Sequence, residues 1–81
     1  MRTSHALLLR YYHDPQFDFS KIKVEYIDRG APGDRSSVDG EDISNLDRDY
    51  FEVLSDWGTK PIPYHRILRI SYMGLPVWER E

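Results

Sequence analysis

Two short stretches carry residue types and spacings that can do chemistry. The first is Arg29-Gly30-Ala31-Pro32-Gly33-Asp34. Gly30 and Gly33 can take positive φ and Pro32 fixes its own φ, so the segment reads as a stiff turn whose N–H groups can point into one concavity. Such a concavity binds anions, and Arg29 adds a planar fork suited to a phosphate. Asp34 can accept from the loop N–H groups, or orient Arg29 or Arg35. The same residues also make an ordinary hairpin, because Gly, Pro and Asp favour turns in any case. The second stretch is Pro61-Ile62-Pro63-Tyr64-His65-Arg66-Ile67. Its two prolines stiffen the approach, so Tyr64, His65 and Arg66 are presented with little freedom. His65 falls on the strand parity opposite Ile62, Tyr64 and Leu68 and should leave the core. Beside Arg66 it can serve an anion as a donor whose charge follows pH, or it can simply bond a neighbouring carbonyl and hold the bend after Pro63.

General acid–base chemistry on a phosphodiester uses two proton-transfer groups placed across the phosphate. Only one histidine lies in these stretches, which favours a binding site without catalytic residues. His5 and His13, about two helical turns apart, read as surface or cap residues. No third ligand at suitable spacing supports a metal site, and nothing implies a cofactor.

The elements that must position these residues are short. Thr3 or Ser4 can cap a helix over residues 4–13, with Leu7, Leu8, Tyr11 and Tyr12 at helical spacing. Asp14-Pro15 should end it, because a residue before proline avoids helical angles. Residues 21–28 alternate Ile22, Val24 and Tyr26 against Lys23, Glu25 and Ile27, the period of a half-buried strand. A weak strand is expected near Val38, then a polar stretch with room for one helical turn. Residues 49–55 form a strand, 56–60 a turn with Gly58 as the permissive residue, and 62–72 one long strand. Pro76 marks the last strand as an edge, and Trp78 should anchor the core there. The expected fold is α+β: an N-terminal helix packed on a small antiparallel sheet or open barrel of four or five strands, as a single domain over residues 1–81.

Composition narrows the function. A chain of 81 residues buries only about 60% of its unfolded surface, so a site must be a surface groove. The 40% hydrophobic content suffices for a folded core and argues against general disorder. The absence of cysteine removes disulfides, thiolate zinc sites and thiol nucleophiles, and fits a cytoplasmic setting. The opening residues are too polar for a secretory signal, and no apolar run approaches the ~20 residues that span a bilayer. A net charge of −3, with acidic residues gathered in 39–52, is unlike a non-specific nucleic-acid binder. Any contact with nucleic acid must use a local cluster of cations.

Taken together, RGAPGD at 29–34, IPYHRILRI at 62–70 and VWER at 77–80 resemble one family over nearly the whole chain. It is the small archaeal and eukaryotic RNA cyclic-group end recognition domain. A leading helix ending in Tyr12-His13-Asp14-Pro15 completes the resemblance, although a tryptophan would be expected before Asp-Pro. The resemblance implies a module that recognises RNA 3′ ends bearing a 2′,3′-cyclic phosphate in RNA processing or repair. It further implies association with an RNA ligase-like phosphoesterase or a nucleotidyltransferase. By position it makes Arg29, Gly30, Gly33, Asp34, His65 and Arg66 the phosphate site, with Tyr64 as a wall for the terminal ribose or base. Two other readings compete. One is a protein-interaction module that docks an RNA-processing enzyme through the edge near Pro76 or the acidic stretch. The other is a phosphoesterase using His65 on cyclic phosphates.

Overall fold

The computed structural model describes residues 3–80. Helix α1 (Ser4–His13) starts where the Thr3 hydroxyl oxygen accepts from the Ala6 N–H at 3.1 Å, satisfying one of the orphan donors of a first turn. It stops at Asp14, whose backbone is extended ahead of Pro15. Leu7 and Leu8 are buried. Tyr11 packs on Phe17 and Tyr72, with ring centroids 4.3 and 5.0 Å apart, whereas Tyr12 is largely exposed. Of the aromatic stripe, Tyr11 packs on the core, and Tyr12 meets Phe19 edge-on, with ring centroids 5.1 Å apart.

Among the described residues seven strands follow: β1 (Ile22–Ile27), β2 (Arg35–Asp39), β3 (Ile43–Leu46), β4 (Tyr50–Ser55), β5 (Gly58–Pro63), β6 (Ile67–Tyr72) and β7 (Leu75–Glu79). They form two antiparallel sheets, β2-β1-β6-β7 and β3-β4-β5. The fold is α+β with one helix and no closed barrel. The expected four or five strands become seven, because β2 and β3 are real strands and the turn at 56–60 shrinks to Asp56-Trp57 between the paired Ser55 and Gly58. One core joins the layers, with Leu8 from the helix, Ile22, Val24 and Ile70 from the first sheet, and Phe51 and Ile62 from the second.

The single strand expected over 62–72 is two strands in different sheets. Pro63 leads into a 3₁₀ turn, Tyr64–Arg66, and there the chain leaves the β4 side for β1. The β1–β6 register pairs Glu25 with Arg69 and Tyr26 with Ile67, so Leu68 is an extra residue, a bulge. The turn and the bulge together break the parity run: Ile62, Tyr64 and Ile70 are buried as their parity implies, but Ile67 joins them while Leu68 and Tyr72 are only partly buried. The polar stretch does hold one turn, Gly40–Asp42. Pro76 lies on β7, an edge as expected, opposite Ser71, while Trp78 pairs with Ile70 and packs on the core.

Candidate anion-binding corner

The segment between β1 and β2 is closed by its own hydrogen bonds. The Asp28 N–H donates to the Asp34 carbonyl at 2.8 Å, Ala31 N–H to the Asp28 carbonyl at 3.1 Å, and Asp34 N–H to the Ala31 carbonyl at 2.8 Å. Gly33 and Asp34 follow one another in left-handed backbone, at φ 67° and 56°. Glycine takes that conformation freely and aspartate tolerates it. The Asp34 carboxylate accepts from the Gly30 N–H at 3.2 Å. A carboxylate of the loop's own therefore sits where an incoming anion would have met Gly30. The expected concavity of free N–H groups is in large part spent on the loop's own closure, and the donors left for a ligand are side chains.

Those side chains converge on Asp28. One of its carboxylate oxygens accepts from the Ser36 hydroxyl at 2.6 Å, and the other meets the Lys60 ammonium at 3.4 Å. Ser36 comes from β2, across from Tyr26, and Lys60 from β5 of the other sheet. The Ser36 hydrogen bond holds the Asp28 carboxyl below the ordinary carboxylate range, against the opposing effect of partial burial. The positive charges of Lys60 and Arg66 push in the same direction as Ser36. Arg66 is thus close enough for its charge to act on the β1–β2 turn. The pairing of Ile67 with Tyr26 explains this, since it sets the Tyr64–Arg66 turn beside the end of β1. Tyr26 reaches the same place from beneath: burial pushes its phenol up, with Lys60 acting against the rise and Asp28 adding to it.

Arg29, Gly30, Gly33, Asp34, His65 and Arg66 are all exposed. Of these, Arg66 is the one whose charge acts on Asp28, the residue that precedes Arg29 in the chain. Tyr64 is different. It is only 8% exposed, its hydroxyl donates to the Asp47 carbonyl at 2.6 Å, and burial followed by the Asp47 charge pushes it up to about 12. The His5 ring stacks on it at 4.1 Å between centroids, 17° from parallel, and Phe51 lies 5.7 Å away. Tyr64 is a core residue that fixes the turn, and the aromatic surface above it is His5.

Sequence reasoning missed Asp28, Lys60 and Ser36 as partners, and it placed His5 with the surface residues. A lysine directly before the Pro-Ile-Pro approach was a usable signal for Lys60. For His5 there was none, because its partner Tyr64 is far away in the sequence. Among the described residues, no group of three or more His, Asp or Glu is arranged to hold a metal ion, and no helix is long and apolar enough to cross a membrane.

Comparison with known proteins gives a consistent family. Residues 1–80 match the model of the MJ1316 RNA cyclic group end recognition domain. A UPF0248 protein of Archaeoglobus fulgidus is 41% identical over 66 residues, covering 82% of this chain and 88% of that protein. Another, from Methanopyrus kandleri, is 32% identical, covering 84% of this chain and 86% of its own. A third, from Thermococcus gammatolerans, is 35% identical over 75 residues, covering 91% and 84%. No solved structure matches. The chain belongs to the MJ1316 RNA cyclic group end recognition domain family.

Proposed function

We propose that this chain, as a member of that family, binds RNA 3′ ends carrying a 2′,3′-cyclic phosphate at the corner built around Asp28. The supporting observation is the convergence of Lys60 and Arg66 on the β1–β2 turn that carries Arg29. A cyclic phosphate is a compact monoanion, and a few converging charged donors suit it better than a broad basic surface. Arg29 and Arg66 supply forked donors, and His65 supplies an imidazole donor beside Arg66. Gly30, Gly33 and Asp34 hold the turn that presents Arg29. Tyr64 acts from the core by fixing the residues that follow it.

The test compares short oligoribonucleotides ending in cyclic phosphate, linear phosphate or hydroxyl, by chemical-shift mapping on the labelled chain. The expected result is shifts at 28–34, 60 and 65–66, largest with the cyclic end. Arg29→Ala and Arg66→Ala should each weaken that binding by roughly tenfold, the loss of one charge-assisted contact. Equal binding of all three ends would overturn the reading. Turnover of the cyclic end that disappears in His65→Ala would replace it with catalysis.

A second reading has its own observation. Met73, Leu75 and Val77 at the β7 edge are 68%, 70% and 38% exposed, an apolar strip on an open sheet edge. It favours docking of a protein such as an RNA-processing enzyme. Stable capture of a partner that Leu75→Lys abolishes, with no RNA end bound, would decide for it.

A further inference from the structure

Trp57 stands at the tip of the β4–β5 hairpin and is 97% exposed. Large aromatics bury most of their area in folded chains, so a tryptophan left almost wholly in water is a feature to explain. Its backbone is fixed: the Trp57 N–H donates to the Ser55 hydroxyl at 3.3 Å, and that hydroxyl donates to the Gly58 carbonyl at 2.9 Å. The ring is therefore offered from a pinned turn. Behind the hairpin a cleft of about 360 Å³ opens between the two sheets. Tyr26, Val38 and Val53 contribute its apolar lining, and Lys23 and Lys60 its cations. Lys60 is also the residue whose ammonium reaches Asp28, so cleft and corner share a side chain.

We propose that Trp57 stacks on an unpaired nucleobase, and that β5 leads a single RNA strand from this ring, past Lys60, to the Arg29–Arg66 corner. The inference rests on the cyclic-end reading for the identity of the strand's last group. The geometry of β5 supports it. Its six residues, at about 3.3 Å each, separate Trp57 from the Tyr64–Arg66 turn by roughly 20 Å, a span of several nucleotides and too long for one. Charge fixes what lies at each point. Asp56 adjoins Trp57, so a phosphate is disfavoured at the tip and a neutral base face is favoured. Lys60, midway, is the place for a backbone phosphate. Stacking also tolerates any base, because each presents a π face.

The experiment titrates the full chain and its Trp57→Ala variant with adenosine 2′,3′-cyclic phosphate, and with oligoadenylates of increasing length ending in the same group. Trp57 packs on nothing, so the variant keeps the fold, checked by its melting curve. The mononucleotide should bind both proteins equally. Lengthening the strand should tighten binding to the unaltered chain and quench tryptophan fluorescence. In Trp57→Ala that gain should fall by roughly five- to hundredfold, the range of one stacked base, and Trp57→Phe should retain part of it. A length-dependent gain that survives in Trp57→Ala overturns the proposal. So does the absence of any gain, or a protein partner lost with Trp57 while RNA affinity is unmoved. If long strands bind through Trp57 but the mononucleotide binds nowhere, the cyclic-end reading falls and the stacking site stands. If no RNA binds at all, both fall.

Discussion

Asp28 decides how the corner behaves, and no sequence pattern marked it out. Placed between Ser36 and Lys60, it gives one acceptor to each sheet. Its carboxyl is held low chiefly by the Ser36 hydrogen bond, with help from Lys60 and Arg66, so its stabilising contribution is present above the ordinary carboxylate range and lost as pH falls through the lowered value. Asp28→Asn should therefore cost about 1 kcal/mol at neutral pH, the scale of one hydrogen bond to a charged group partly exposed to solvent. Denaturant melts of both proteins from neutral pH into strong acid would show the gap closing only below about pH 4, the unperturbed aspartate range. A gap that stays constant into acid would mean that the carboxylate's charge is irrelevant there. By contrast, Arg29 and His65 stood out because Gly, Pro and charged residues declare turns locally, whereas a partner such as Lys60 depends on which sheets meet.

Elements with local causes could be read directly. Thr3 and Asp14-Pro15 bracket α1, and the alternation of Ile22, Val24 and Tyr26 fixes β1, because capping and period are properties of neighbouring residues. The split of 62–72 was hidden, since the turn at Tyr64–Arg66 and the bulge at Leu68 leave hydrophobic residues at nearly the spacing of an unbroken strand. Only the change of pairing partner from β4 to β1 reveals it. Gly40 was hidden as well. It begins the turn Gly40–Asp42 that packs on Phe19–Lys21, and a Cβ there would run into the Phe19 carbonyl group. Backbone cannot step aside as the end of a side chain can. Gly40→Ala should force the two turns apart and destabilise the chain by roughly 1–3 kcal/mol, the cost of overpacking a close contact. Its φ is not left-handed, so Gly40→Ser should fare no better, and thermal melts of both variants check this. A melting temperature unchanged in Gly40→Ala would show that the turns separate freely.

The whole molecule carries a net charge of −3, and its cations at the candidate site are few: Arg29, Lys60 and Arg66, with Arg35 opposite Ile27 at the start of β2. Acidic residues in 39–52 border that site, with Asp39 and Asp42 on the wall of the cleft that Lys60 also lines. On the proposed function, such a distribution should repel the body of an RNA while admitting its end, turning local affinity into preference for a terminus. It also limits the number of counterions that binding can release. With about three phosphates contacted, the logarithm of the association constant should fall with the logarithm of salt at a slope near −2, taking about −0.7 per phosphate for a single strand. Titrating a cyclic-ended oligonucleotide at several salt concentrations measures this slope, and Lys60→Met should make it shallower by about 0.7. A slope of about −5 or steeper would require some seven phosphates on the protein. That many contacts would wrap the strand over the acidic face and leave no reason for a preference between ends.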